Sequence, residues 1–259
     1  MSLPKSSRPT VPYLYKYSNP DHLEWLKPII LEHELYLPTR AQLNDDFDSL
    51  PKLTLQSADE MILFILQRKV MADPTVPFEV LDGDEKILRF NIGKHGTAAY
   101  QPGLVESIDK QLDEFRIYSM TKHYDKMSLW AYYASNHTGY CLEFLNEGPL
   151  FEHAREVSYL AREDMDILIT DPAIKNGDFF FCKTLEWRNE EEVRLVLPRN
   201  KGFKVKMNDR RWLNRIILGK DMKDEHRELI KGWAKQRQPE LPVVRTYIDR
   251  VERAIIIRE

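Results

Sequence analysis

Lys183-Thr-Leu-Glu-Trp-Arg-Asn-Glu-Glu-Glu-Val-Arg-Leu-Val196 follows the aromatic run Phe179-Phe180-Phe181-Cys182 and is stopped by Pro198. A strand alternates its side chains between two faces. Val193, Leu195 and Leu197 then point to a core, while Glu190, Glu192 and Arg194 share the other face. Two chemistries fit that acid-x-acid-x-base row. One is a strand face held by cross-charge pairing. The other is a cleft floor, where a guanidinium fixes a carboxylate that holds a hydroxyl or takes a proton.

Working outward, 259 residues with 42% hydrophobic and 11% aromatic content can fill a substantial core. A net charge of −3 is too small to imply a partner, and no Lys/Arg block suggests bulk nucleic-acid binding, which leaves room for a local basic patch. Cys141 and Cys182 sit in apolar surroundings without zinc-ligand spacing, as buried thiols do. The N-terminus lacks the apolar segment of a signal peptide, and no stretch is apolar for the ~20 residues a membrane helix needs. The expectation is a cytoplasmic protein without membrane partners.

Along the chain, residues 1–11 read as a flexible terminus and 12–259 as one domain. Tyr13–Tyr17 is an aromatic strand; Asn19-Pro20 starts a helix that Pro28 kinks. Glu34–Leu37 is a strand. Ser57-Ala-Asp-Glu60 is a capping box opening a helix to about Val70. Residues 72–103 read as a variable insert with one short helix near 85–90, and Leu104–Phe115 as a helix. Ile117–Met120 is a strand and Met127–Ala134 a helix, with Gly139 as its left-handed stop. Tyr140–Phe144 and Val157–Tyr159 are strands, and Glu163–Ile169 is helical. Trp212–Leu218, Val243–Ile248 and Ala254–Ile257 are strands, with a charged amphipathic helix at Asp221–Gln236. Without regular βαβ alternation, the fold class is α+β: a single domain with a mixed, mostly antiparallel sheet and helices packed on it.

Three other groups carry candidate chemistry. Tyr13, Tyr15 and Tyr17 alternate on one strand face and leave Lys16 on the other. The stripe fits a core wall or a stacking platform. The acidic loop Asn44-Asp45-Asp46-Phe47-Asp48 has oxygen ligands but lacks the glycine and distal Glu of an EF-hand. An acidic turn is the simpler account, and no metal is expected. His137 in Asn136-His137-Thr138-Gly139 suits a helix C-terminus or a general acid.

Together these segments resemble the bacterial family called domain of unknown function 2971. The resemblance rests on Leu14-Tyr15-Lys16-Tyr17; on Asn44–Asp48; on Leu129-Trp130 with Tyr133, Ala134, His137, Gly139, Cys141 and Phe144; and on Lys183, Trp187, Glu190, Glu192 and Arg194. Asp46 stands where the family has Pro, and Leu129 where it has Met. That family implies no activity. A second, fold-level resemblance is to ADP-ribosyltransferases, through the order of an aromatic-basic strand, a strand ending in a hydroxyl and a Glu-x-Glu strand. It implies NAD as cofactor, contacted by Lys16 or Tyr17, with Thr39 in the second-strand role. Glu192 would be the catalytic acid and Glu190 would activate the acceptor. His137 is a further catalytic candidate, and Asn44, Tyr133 and Arg194 complete the expected binding set. Lys16 and Thr39 depart from that family's residue types. Three functions follow as expectations: an NAD-consuming transferase or glycohydrolase, such as a toxin-like or defence effector acting on protein or nucleic acid; a non-catalytic ligand- or partner-binding module; and a metal-dependent hydrolase using Asp45, Asp48 and the Glu pair. A small-molecule nucleotide is one candidate partner.

Overall fold

The computed structural model describes residues 4–45, 48–49, 52–54, 57–168, 177–198 and 202–258. An eight-stranded sheet runs through it. In chain order its strands are β1 (Tyr13–Ser18), β4 (Phe115–Thr121), β5 (Tyr140–Leu145), β6 (Ala154–Glu156), β10 (Glu192–Pro198), β12 (Leu213–Leu218), β13 (Val243–Asp249) and β14 (Ala254–Arg258). Across the sheet the order is β14-β13-β12-β5-β1-β4-β10-β6. Every pairing is antiparallel except β12 with β13, whose crossover is the helix α7 (Asp224–Gln236). The expected α+β class with a mostly antiparallel core is therefore what the chain adopts. Short pairs flank the sheet: β2 (Glu34–Tyr36) with β11 (Lys204–Lys206), β3 (Lys52–Thr54) with β8 (Asp166–Leu168), and β7 (Ser158–Leu160) with β9 (Cys182–Thr184).

The alternation written into each strand decides which face meets which helix. Leu14, Tyr118, Met120, Val193, Leu195 and Leu197 join Leu26 and Ile30 of α1 (Leu23–Leu31) and Ile230 of α7 in the largest apolar cluster. The opposite face carries two clusters. Tyr15, Tyr17, Cys141 and Ile217 pack with Leu129 and Trp130 of α5 (Met127–Tyr132). Ile117 packs with Phe179, Phe180, Cys182 and with Ile108 and Leu112 of α4 (Gln101–Leu112). Fully burying one such aliphatic or aromatic side chain contributes roughly 1.5–3 kcal/mol. Both cysteines are buried, and burial pushes the Cys182 thiol up to about 11.

Several local expectations are corrected. Residues 78–95 form an 18-residue helix, α3, paired with α2 (Ala58–Ala72). Its period is hard to read because only Ile92 is buried while Phe78, Ile87 and Phe90 stay exposed. The helix expected to reach Phe115 ends at Leu112, and Phe115 begins β4. Glu163–Ile169 is not one helix: a 3-10 turn at Arg162–Met165 leads into β8, and Ile169 lies outside the described residues. The aromatic run is a 3-10 turn over Asp178–Phe181, and its last residue, Cys182, begins β9. Gly139 is not the left-handed stop. Ser135, Asn136 and His137 take the positive φ angles, 47°, 51° and 69°. Gly139 is required for a different reason: a Cβ there would lie 2.2 Å from the Ser18 carbonyl oxygen. Near the N-terminus, the Asn146 amide donates to the carbonyls of Pro9 and Val11, and Ser7 accepts from the Glu156 N–H. A small helix, α6 (Gly148–Phe151), completes the fold.

Candidate functional site

The β10 row is built as its alternation predicts. Arg194 lies opposite Ser119 and Glu192 opposite Thr121 on β4, and directly opposed residues share a sheet face. Glu190 arrives differently. It ends a 3-10 turn (Leu185–Glu190), and Glu191 takes a left-handed φ of 44° before β10 starts. That conformation is unfavourable for a non-glycine residue. It is held by Lys126, whose Nζ reaches Glu191 Oε1 (2.6 Å) and the Asn189 carbonyl (2.7 Å), and by His123 Nε2, 3.0 Å from Glu191. Thr121 Oγ1 donates to the Glu190 carbonyl at 2.6 Å. Hydrogen bonding from Lys126 holds Glu191 down to about 2.

The reversal aims Glu190 at Lys183 on β9, whose ammonium lies 2.6 Å from Glu190 Oε2, 3.2 Å from Glu192 Oε2 and 3.5 Å from Asp48 Oδ2. Arg194 donates from Nε to Glu192 Oε1 (2.7 Å) and from Nη2 to Glu192 Oε2 (2.9 Å). It also donates to Asp48 Oδ2 (2.5 Å), Ser49 Oγ (2.9 Å) and the Phe180 carbonyl (2.8 Å). Tyr159 accepts the Glu192 backbone N–H at 2.8 Å. Lys183, Glu190, Glu192, Arg194, Asp48 and Ser49 are all between 0 and 8% exposed. Burial raises the Glu192 pKa, but the Arg194 and Lys183 charges outweigh it and hold the carboxyl well below its ordinary range. Burial lowers the Lys183 pKa, and the Glu192, Asp48 and Glu190 carboxylates reverse that and raise it. The result is a closed network of ions wedged between the two apolar clusters of this sheet face.

One branch reaches solvent. Tyr133 donates its hydroxyl to Glu190 Oε1 in a short hydrogen bond, and the exposed Asn44 donates to the Tyr133 oxygen at 3.2 Å. Burial and the neighbouring Glu190 raise the Tyr133 pKa. The half-buried Trp187 ring lies 4.8 Å from the Lys183 ammonium, in cation–π range.

Of the expected residues, Glu190, Glu192, Arg194, Asn44 and Tyr133 are therefore one connected set. The others separate from it. Tyr15 opposes Thr121, so Tyr15 and Tyr17 share the Glu192 face and Lys16 points to the opposite one. There the Lys16 ammonium sits 5.3 Å from the Tyr118 ring centre, with no ion-pair partner among the described residues. Burial lowers its pKa. Tyr17 is core: its ring packs edge-on against Trp130 and its hydroxyl donates to the His123 carbonyl at 3.1 Å. Thr39 caps a 3-10 turn, its N–H donating to Gln42 Oε1 at 3.0 Å. His137 stacks on Trp130, with Nε2 3.1 Å from Met127 Sδ, and burial lowers its pKa. Its carbonyl accepts from the Asp221 N–H, beyond the C-terminal end of β12. His137, Lys16, Tyr17 and Thr39 thus have no hydrogen bond or ion pair to Glu190, Glu192 or Arg194 among the described residues.

The acidic loop enters through Asp48, committed to Arg194 and Lys183; Asp46 and Phe47 lie outside the described residues. No group of three or more His, Cys, Asp or Glu is placed to hold a metal ion among the described residues. Ser49 and Tyr159 were missed as site residues; Asp48 was expected only as a metal ligand, and Lys183 only as part of the family resemblance. The signal for Lys183 was its place at the head of the stretch that leads to Glu190, Glu192 and Arg194, directly after the aromatic run. Comparison with family models, with curated proteins and with solved structures gives no match for this chain.

Proposed function

We propose that the protein is a non-catalytic binding module for a ring-bearing small ligand of the nucleotide class. The ligand would be received at the Asn44–Tyr133–Glu190 branch, with the Trp187 ring over Lys183 as its stacking surface. The observation that carries this is the saturation of Glu192. Arg194 donates to it twice and Lys183 and Ser119 once each, and it is buried, so it cannot accept a ribose hydroxyl without displacing one of these donors. Glu190 is the carboxylate linked outward, through Tyr133 to an exposed amide. An amide and a phenol offer directional hydrogen bonds, Trp187 offers a stacking face, and the ion network beneath supplies rigidity.

Titration calorimetry with NAD, ADP-ribose and AMP tests the reading. Tyr133→Phe removes the hydroxyl between Asn44 and Glu190 and should weaken binding about five- to tenfold, as expected for losing one hydrogen bond in a site. Glu192→Gln should lower Tm and leave affinity unchanged. Absence of binding by all three compounds refutes the module as stated.

The reach of Glu190 favours a second reading, an NAD-consuming transferase in which Glu190 rather than Glu192 contacts the cofactor. Its mark is nicotinamide release that Glu190→Gln abolishes while the fold remains intact. Stable NAD in the presence of the protein and a cell lysate excludes it.

A further inference from the structure

A second buried carboxylate lies on the same sheet face. Strand registers set five residues side by side across five strands: Arg215 opposite Glu143, Glu143 opposite Tyr15, Tyr15 opposite Thr121, and Thr121 opposite Glu192. The row thus begins at the ion network and ends at Arg215. Glu143 is wholly buried, at 0% exposure. It accepts from Asn214 Nδ2 (2.5 Å), from Arg215 Nη2 (2.7 Å) and from the Tyr15 hydroxyl. Three donors share its charge.

Arg215 is the outward end. Its side chain is 31% exposed, and Nη2 is its one nitrogen with a protein acceptor among the described residues. Nε is shut off from solvent without a partner. The buried Nε atoms of Arg116, Arg237 and Arg245 share that property, but those guanidiniums are spent on backbone carbonyls. Arg215 instead has a buried carboxylate as anchor, an Nη1 without a protein acceptor among the described residues, and a side chain that is partly exposed. Tyr124 lies beside it, its ring centre 5.6 Å from that of Tyr15, and Tyr13 is two residues before Tyr15 on the same strand face. Both rings are half-buried, and their hydroxyls have no acceptor among the described residues.

We propose that Arg215, held in place by Glu143, anchors a second ligand site that takes the oxyanion of an aromatic phosphate or carboxylate. The Nη1 side of the guanidinium would bind the anionic oxygens, and the Tyr124 ring, which interacts with Arg215, would cover the ligand ring. A planar guanidinium fixed on one side by a buried carboxylate presents its remaining N–H groups in a set direction. That pre-orientation is what bidentate oxyanion recognition needs. The site does not depend on the Glu190 branch and stands if that reading fails.

The arginine Nε–H signals of the wild-type protein, followed by NMR during titration, read the site directly. Arg215→Lys assigns the Arg215 signal by its loss. Phenyl phosphate, benzoate and inorganic phosphate are the probes. The expected result is a saturable shift of the Arg215 signal with an aryl oxyanion, about three- to tenfold tighter than with inorganic phosphate, the ratio a ring contact supplies. Tyr124→Ala should collapse that ratio toward one. The difference between the phenyl phosphate and benzoate arms identifies the anion. No saturable Arg215 shift up to tens of millimolar, or equal shifts of Arg215 and exposed arginines such as Arg211, overturns the proposal.

Discussion

Replacing Arg194 by Met tests the ion network most directly. The substitution keeps a long flexible side chain in a site that is 0% exposed and deletes five hydrogen bonds, two of them to Glu192 and one to Asp48. Lys183 remains, 3.2 Å from Glu192 and 3.5 Å from Asp48, but one ammonium also bonded to Glu190 must then serve three buried carboxylates. Breaking a buried pair by removing one partner costs about 3–5 kcal/mol. For a chain of this size, each kcal/mol corresponds to roughly 2–4 °C, so Tm should fall by about 6–20 °C. The pH dependence separates charge from packing. In the wild type the Glu192 pKa is depressed below its unfolded value of 4.5, so its contribution is present above pH 4.5 and is lost as pH falls below it. In the variant, burial without the guanidinium raises the Glu192 pKa, and acid then relieves the strain by protonating the carboxyl. The Tm gap between wild type and variant should therefore narrow as pH drops from 7 toward 4. Scanning calorimetry over that range provides the measurement. A gap under about 1 kcal/mol at pH 7, or one that stays constant with pH, would show that the network is not a buried charge system and would remove the basis for treating Glu192 as structural.

Other substitutions probe separate parts of the argument. Gly139→Ala places a Cβ 2.2 Å from the Ser18 carbonyl, and Gly219→Ala one 2.0 Å from the His137 carbonyl; each should cost over about 3 kcal/mol, visible as lost soluble yield or a much lower midpoint in urea. Ser57→Ala removes the oxygen that accepts the Glu60 N–H and should lower stability by about 1 kcal/mol in the same assay. Lys16→Met removes an ammonium that burial disfavours, so Tm at pH 7 should rise. Because the folded Lys16 pKa is lowered, wild-type stability should increase as pH climbs toward 10.5, and that increase should shrink in the variant; a drop in Tm for Lys16→Met would contradict the assignment.

What the sequence determined by itself was local. Alternation in Glu192–Pro198 assigned Val193, Leu195 and Leu197 to the core and Glu192 with Arg194 to the other face, because side-chain direction in a strand depends on nothing beyond parity. The same rule separated Lys16 from its flanking tyrosines. Parity failed at Glu190, which is off the strand: its meeting with Lys183 depends on a left-handed Glu191 held by Lys126 and His123, more than 60 positions upstream. Tertiary structure alone decided that Asp48, 146 positions from Arg194, completes the network, and that Phe180 turns to offer its carbonyl to the guanidinium. It also decided that His137 and Thr39 serve turns away from that network. The physical reason is that charge pairing acts through space, and partners distant along the chain are set by how the sheet and its loops fold together. Whether an acid-x-acid-x-base row becomes an open cleft or a sealed ion cluster depends on what packs over it, and no window of neighbouring residues contains that information.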